Sequence, residues 1–466
     1  MAVDVDGTLV RSDLLHEAVL QHIAANPLNL PRLLAWLPGG KSAFKSRLAD
    51  QTTPDLAAVP LREETLMLIR AAQTEGRPVW LASASDHRYV SALAERVGGI
   101  AGVLATTPER NLAGPAKAAA LTAAFGKGGY DYVGDMPVDL PVWADARQAY
   151  LVSHSARFER QVLRQFPNAD VIARPRPQLR RYIKALRPHQ WAKNGLIFFP
   201  IVAGHYSDPA MLLATMAAFV CFCAAASSAY VLNDLLDLQG DRQHPTKCRR
   251  PFAAGDVPVG HGIALSAALM ALSVGLATLL PWKFGVVLGL YIVTTLAYSL
   301  VLKRKTIIDV ITLGGLYALR VLAGLAASGA KQSQWLLMFS LFLFISLAII
   351  KRCSELVMRR EAGKTDVAGR GYLVQDLQVL FPAAAAAGYG AILVVALYMA
   401  SPEVAALYHH PSRLWLLHPL LIYWISRVIM LSSRNLLHDD PVVFALTDRV
   451  SWGVGVIAAI VIGISI

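Results

Sequence analysis

Charge is scarce in this chain. Only 16% of its 466 residues are Asp, Glu, Lys or Arg, against about a quarter in ordinary soluble domains. The shortage is uneven: residues 1–180 hold 20 basic and 18 acidic side chains, whereas residues 181–466 hold 24 and 14. The first stretch therefore reads as a soluble domain. The second is too apolar for one, and a polytopic membrane protein is the reading it leaves. Acid is the scarcer sign, giving a net charge of +12. Most of that excess sits in the apolar part, so it does not describe a nucleic-acid groove, which needs its bases on a soluble surface. Cysteine is nearly absent. Four residues without zinc-ligand spacing give neither a disulfide framework nor a thiolate metal site. No secretory leader is expected, because MAVDVDGTLVRSD puts Asp4, Asp6 and Asp13 where a basic and then an apolar segment would stand. The N-terminus is accordingly expected in the cytosol.

What the second part does have is long apolar runs. Nine of them, near 190–204, 209–232, 261–280, 284–302, 306–328, 334–350, 379–401, 413–433 and 445–466, are expected to cross a hydrocarbon core ~30 Å thick as helices. The first of these is short and polar-flanked. With residue 180 on the cytosolic side, sixteen Lys and Arg fall in inside loops, against Lys283, Lys331 and Arg413 outside. That is the bias that orients membrane helices, and it puts the C-terminus outside.

One inside loop carries more than topology. It reads Asn233-Asp234-Leu-Leu-Asp237-Leu-Gln-Gly-Asp241-Arg-Gln-His244-Pro-Thr-Lys247-Cys-Arg-Arg250-Pro251. If the helix runs on to Asp241, then Asn233, Asp237 and Asp241 share one face, with Asp234 beside Asp237. Carboxylates at that spacing repel unless a cation lies between them. Few, hard oxygen ligands suit Mg²⁺, which commonly binds through one or two carboxylates plus substrate phosphates. Lys247, Arg249 and Arg250 offer donors to the same phosphates.

The stretch resembles the first aspartate-rich motif of the UbiA superfamily of intramembrane prenyltransferases, NDxxDxxxD with a basic K-x-x-RP tail. Leu186-Arg187-Pro188-His-Gln190-Trp191-Ala-Lys193-Asn194, together with the His-Pro-Thr-Lys of the motif, is similar to the decaprenyl-phosphate phosphoribosyltransferase branch. The resemblance covers roughly residues 181–466. It implies transfer of 5-phosphoribosyl from phosphoribosyl pyrophosphate to a polyprenyl phosphate, with release of pyrophosphate. Asp234 and Asp237 would be the catalytic acids, and Asn233, Asp237 and Asp241 the magnesium ligands. Arg187, Lys193, Asn194, Lys247 and Arg250 would bind phosphate. Aromatic prenyltransferases of the superfamily carry a second aspartate-rich motif. Here Lys351-Arg352-Cys-Ser-Glu355-Leu-Val-Met-Arg359-Arg360 stands in its place, which argues against a second metal site of that type and for direct phosphate binding by cations. Lys351, Arg352, Glu355, Tyr298, Lys303 and Arg370 complete the expected phosphate set. Arg320 lies inside an apparent span, where a charge is costly and usually functional, which makes it a candidate to line the cavity.

In the soluble part, Val3-Asp4-Val5-Asp6-Gly7-Thr8-Leu9 reads as a buried strand running into a turn, with only three residues before Asp4. Two carboxylates at a strand end can serve one site, one attacking phosphorus and the other acting as acid and base. The run resembles motif I of the haloacid dehalogenase superfamily in its phosphatase form. The resemblance makes Asp4 and Asp6 catalytic. It makes Ser83, ending Val79-Trp80-Leu81-Ala82-Ser83, a phosphate ligand, and Lys117 the lysine that steadies the aspartyl-phosphate. Asp135 and Asp139 of Gly134-Asp135-Met-Pro-Val-Asp139 join Asp4 and Asp6 around a second Mg²⁺. Ser85, Asp86 and His87 read as the start of a capped helix.

The expected fold is thus an N-terminal α/β Rossmann-like haloacid dehalogenase domain over residues 1–155, with a helical cap at about 11–76. A basic linker follows at 156–180, then an all-α UbiA-like membrane domain of about nine helices over 181–466. One magnesium ion is expected in each domain. Partners are polyprenyl phosphate, phosphoribosyl pyrophosphate and the lipid bilayer of the inner membrane, with no nucleic acid, and a homo-oligomer is compatible with the sequence. The phosphatase domain and the site loops are expected in the cytosol, where the first could remove the 5-phosphate to leave polyprenyl-phosphoryl ribose. Two other readings are an aromatic prenyltransferase using a prenyl diphosphate, and a non-catalytic lipid transporter or scaffold.

Overall fold

Val3, Val5 and Leu9 are fully buried on either side of the first aspartates, and they begin a sheet. In the computed structural model, which describes residues 1–175, 178–331, 333–361, 363, 371–437 and 440–466, six strands form it. They are β1 (Ala2–Val3), β2 (Trp80–Asp86), β3 (Gly102–Thr106), β4 (Asp131–Gly134), β5 (Gln148–Val152) and β6 (Asp170–Ala173). The order is β3-β2-β1-β4-β5-β6, and every pairing is parallel. β1 is short, as its place in the chain requires, yet it pairs on both sides, Ala2 with Trp80 and with Tyr132. The order reverses between β1 and β4. The crevice beyond the strand ends at such a point is where groups from both halves of a sheet can meet one ligand.

Four helices fill the β1–β2 interval: Leu14–Ala25, Asn29–Trp36, Gly40–Gln51 and Glu63–Thr74. Asp13 caps the first by accepting the His16 N–H at 2.9 Å, and Leu14 and Ala18 share a buried core with Val5, Leu9, Leu48 and Ile69. In the expected linker at 156–180, the described residues are not a connector. They form helix Ala156–Gln165, then β6, which completes the sheet against β5, then helix Leu179–Leu186. Their arginines masked an amphipathic helix that buries Val162 and packs Phe158 and Phe166 against the sheet.

The chain falls into two compact units, residues 1–186 with 230–267, and residues 187–229 with 268–466. The aspartate-rich loop thus belongs to the first unit. Among the described residues, seven helices are long and apolar enough to cross a membrane: Pro209–Leu236, Val259–Ala277, Trp282–Leu300, Ile308–Ser328, Gln334–Glu361, Val374–Met399 and Pro411–Ser433. An eighth span follows if Pro441–Thr447 and Arg449–Gly463, bent by 77°, count as one. The expected nine are not found. Residues 190–204 lie in a 3-10 stretch, Pro188–Phe198, and a five-residue helix, Phe199–Ala203. Pro188 and Pro200 each lack an N–H for an α-helical ladder, and Lys193 and Asn194 are buried against side-chain partners. The bend near the end falls at Asp448, whose carboxylate caps the second helix through Ser451 N–H at 2.8 Å. Helix Gln334–Glu361 runs well past residue 350, so Lys351, Arg352 and Glu355 stand on a helix and not in a loop.

Candidate functional site

Asp4 follows the last residue of β1, Asp135 the last residue of β4, and Asp139 ends a 3-10 turn, Pro137–Asp139. The three buried carboxylates each bring one oxygen within 4.8 Å of the others. Lys117, from helix Pro115–Phe125, lies 3.0 Å from Asp4 and 3.4 Å from Asp139. Burial works against its ammonium, but Asp4 and Asp139 outweigh this and hold its pKa above the ordinary lysine value. Burial drives the Asp4 pKa well up; Lys117 opposes this, while Asp139, Asp135 and Asp6 add to it. Asp135 is raised by burial too, against the pull of His154, whose Nε2 lies 3.2 Å from it. Asp139 is the anchor of the group. It accepts the Tyr132 hydroxyl at 2.8 Å and the N–H groups of Asp135 and Met136 at 3.3 and 3.1 Å. Gly7 sits at φ +74°, and a Cβ there would lie 2.2 Å from Asp135 Oδ2. Only glycine lets this turn approach the acid.

Asp6 stands apart from that set, because its carboxylate is already engaged. Oδ1 accepts the Leu14 N–H at 2.8 Å, and Oδ2 accepts the hydroxyls of Ser85 at 2.6 Å and Ser83 at 3.3 Å. Burial and the charge of Asp13 raise its pKa to about 6, opposed by the Leu14 N–H, Ser85 and Lys45. Asp6, expected as a fourth metal ligand, is not one of the three acids whose ligand atoms converge. Ser83 reaches Asp6, and Asp86 caps helix His87–Val97 through Arg88 N–H. Sequence reading put Ser85 at a helix start, whereas it lies near the end of β2 and donates to Asp6, and it missed Lys45 and His154. Lys45 comes from the helical insertion and donates to Ala84 O at 2.6 Å and Asn111 Oδ1 at 3.2 Å. No motif marks it, since an insertion has no set register against the strand it covers.

In the aspartate-rich loop, helix Pro209–Leu236 gives way at Asp237, and a short helix, Leu238–Gln243, follows. Backbone bonds carry the turn through the break, Asp237 N–H to Asn233 O at 2.9 Å and Asp241 N–H to Asp237 O at 2.8 Å. Asp234 and Asp241 are buried, while Asp237 is exposed. Arg250 Nη1 donates to Asp234 at 3.0 Å and to Asp241 at 2.5 Å, so a cation already lies between two of the acids. Lys247 is exposed. Among the described His, Cys, Asp and Glu, only Asp4, Asp135 and Asp139 converge closely enough for three ligand atoms. The loop's donor set of hard oxygens still suits magnesium.

The second unit holds two polar clusters. In one, Lys193 and Lys351 both reach Asp440 Oδ2 at 2.8 Å, and Tyr317 donates to the same carboxylate at 3.1 Å. Asn194 accepts from Arg320 Nε at 2.8 Å, and Arg320 also donates to the Tyr291 hydroxyl at 3.2 Å. The guanidinium inside the span is thus hydrogen-bonded within the protein to neutral groups. In the other, Arg352 is fully buried and ion-paired with Asp309, its Nη2 donating to Oδ1 at 3.1 Å, and with Glu355. Tyr298 donates to Asp309 at 3.2 Å. Ile307 holds a left-handed backbone at φ 68°, and its N–H donates to the Tyr372 hydroxyl at 2.9 Å. Lys303 is half-buried in the turn Leu302–Arg304, and Arg187 precedes Pro188 at φ 53°. Arg370 lies outside the described residues. From the sequence, Asp309 borders a cytosolic loop and Asp440 precedes the last helix as either an ion pair or a substrate contact; the lysines and arginine gathered around each acid show the ion pairs.

Two family models match the chain: the UbiA prenyltransferase family over residues 195–447 and haloacid dehalogenase-like hydrolase over residues 2–143. The chain is 36% identical over 459 residues to uncharacterized protein y4nM of Sinorhizobium fredii, covering 98% of this chain and 89% of that one. It is 39% identical over 186 residues to a decaprenyl-phosphate phosphoribosyltransferase of Corynebacterium glutamicum, covering 39% of this chain and 56% of that protein. A UbiA homolog from Archaeoglobus fulgidus, solved with DMAPP and Mg²⁺, is similar at a TM-score of 0.47 and 19% identity, covering 61% of this chain and 97% of that one.

Proposed function

Because the chain belongs to the UbiA prenyltransferase family, and is an integral membrane transferase with an N-terminal haloacid dehalogenase-like domain, we propose a specific reaction pair for it. The membrane part transfers 5-phosphoribosyl from phosphoribosyl pyrophosphate to a polyprenyl phosphate. The N-terminal domain then removes the 5-phosphate. The proposal places both sites on the cytosolic side of the inner membrane.

The observation that supports the donor is the cation cluster around Asp440. A transferase of prenyl diphosphate needs acids to hold metal at the end of helix Gln334–Glu361. This chain has Lys351 and Arg352 there, with Lys193 drawn to the same point as Lys351. Two ammonium groups sharing one carboxylate are a phosphate-binding arrangement held in reserve. The relative from Corynebacterium, named for this transfer, supports the same reading.

In the transfer, the bond from ribose C1 to pyrophosphate breaks, and one from C1 to the lipid phosphate oxygen forms. The acceptor is already an anion, so no strong base is required. Magnesium held by Asn233, Asp237 and Asp241 in the loop, and by Asp4 and Asp135 in the hydrolase, would neutralise phosphate charge in each step. In the hydrolysis, an Asp4 oxygen attacks phosphorus, and the leaving ribose oxygen takes the Asp6 proton. Water then cleaves the acyl phosphate and returns a proton to Asp6. Lys117 holds Asp4 in line, and Asp139 holds Lys117.

Labelled phosphoribosyl pyrophosphate with polyprenyl phosphate, run beside prenyl diphosphate with hydroxybenzoate, tests the reading. Labelled lipid from the first pair is expected. Product from the second pair alone would replace the proposal with an aromatic prenyltransferase.

A further inference from the structure

Helix Leu14–Ala25 carries Glu17 in its first turn, and the Glu17 side chain is buried. The phosphoryl chemistry does not use it. Its partner is Arg242, from the aspartate-rich loop of the same compact unit. Arg242 Nη1 and Nη2 donate to Glu17 Oε2 and Oε1 at 2.7 and 2.6 Å, and the two side chains are only 3% and 1% exposed. Removing either member of such a pair strands the other charge away from water. A two-pronged guanidinium–carboxylate pair fixes orientation as well as distance.

Two independent contacts seat the loop on the same part of the fold. Leu20, on the same helix, is buried in one cluster with Leu235, Leu238 and Phe252 of the loop. Gly255 lies at φ +70°, and a Cβ there would come within 2.8 Å of Arg11 Cβ and 3.0 Å of Pro60 Cγ. Arg242 directly follows Asp241, which Arg250 ties to Asp234. The helix that carries Glu17 also begins on the hydrolase acid, because Leu14 N–H donates to Asp6.

We propose that Glu17 is a positioning residue for the aspartate-rich loop. The helix that closes on Asp6 also sets the orientation of the acids that grip the pyrophosphate of the transfer donor. The N-terminal fold is then a built-in part of the transfer centre, not a passenger. The donor named here rests on the function proposed above, whereas the placement of the loop does not.

The test is Glu17→Gln in the full-length protein in detergent. It is read by hydrogen exchange of the peptide 233–250 and by pyrophosphate release from phosphoribosyl pyrophosphate in the presence of polyprenyl phosphate as magnesium is varied. Exchange about tenfold faster and confined to that peptide is expected, with about tenfold more magnesium needed for half-maximal release and little change in maximal rate. The reciprocal exchange, Glu17→Arg with Arg242→Glu, should return both readouts toward native values. Unchanged exchange in the peptide overturns the proposal. Faster exchange spread across the whole sheet overturns it as well, since the pair would then be a folding contact only. If the native protein releases no pyrophosphate from this donor, the donor assignment falls, and the exchange result alone decides the positioning.

Discussion

Three carboxylates converge beside one lysine in the N-terminal centre, and two lysines share one carboxylate in the membrane unit. Asp4, Asp135 and Asp139 converge, with Lys117 paired to Asp4 and Asp139, while Lys193 and Lys351 gather about Asp440. Both sites are largely shielded from water, so neither can leave its charge to solvent. The first is short of positive charge, and burial lifts the pKa of Asp4 and Asp135 in response. A divalent cation would complete it. The second has a surplus of positive charge, and a phosphate would complete it. One rule, that buried charge must be balanced, thus yields two sites of opposite appetite.

The largest expected effect tests the first site alone. Asp4→Asn should cut phosphate release by about 10⁴-fold or more, with the 5-phosphorylated lipid accumulating in the mass spectrum. Product that remained fully dephosphorylated would dissociate the two chemistries. The next pair tests the opposition itself. Asp135→Asn should raise the magnesium needed for hydrolysis by roughly 10–100-fold. Asp440→Asn should instead tighten inhibition of transfer by inorganic pyrophosphate about tenfold, at a stability cost of about 3 kcal/mol from two under-paired lysines. Weaker inhibition would mean that Asp440 builds the phosphate site and does not merely occupy it.

A smaller effect is carried by pH. Asp6, at about 6, lies above a free aspartate, so its acid form is present at lower pH and is lost as pH rises through 6. Hydrolysis should fall over that interval, and Asp6→Asn should remove the inflection with about 100-fold of the rate. The smallest change is at Ser85. Its hydroxyl favours the ionised Asp6, so Ser85→Ala should move the inflection upward by less than about one unit. An inflection that stays put would leave Ser85 a prop for β2.

Some of this was legible in the residues. Asp4, Lys117, Asp135 and Asp139 follow strands or open helices, and strand ends on a parallel sheet converge whatever the loops between them do. The apolar runs from 209 to 433 match seven observed helices because bilayer length and hydropathy are local properties. The first and last runs did not behave so simply. Pro188, Pro200 and Asp448 redirect the chain there, and their effect depends on whether a buried side chain or a cap satisfies the backbone. The stretch 156–173 read as a connector because arginines dominate its composition, although a short helix and a four-residue strand need few apolar residues to pack.

By itself, the sequence determined the two families and the partition between a charged and an apolar part. Motif spacing and hydropathy act over a few residues and need no knowledge of distant ones. Only the tertiary structure decided which charges meet. Asp440 takes Lys193 and Lys351, Ser85 takes Asp6, and Glu17 takes Arg242 across 225 positions of chain. A buried charge is satisfied by whatever the fold brings within hydrogen-bonding distance, and that distance is not written in the order of the residues.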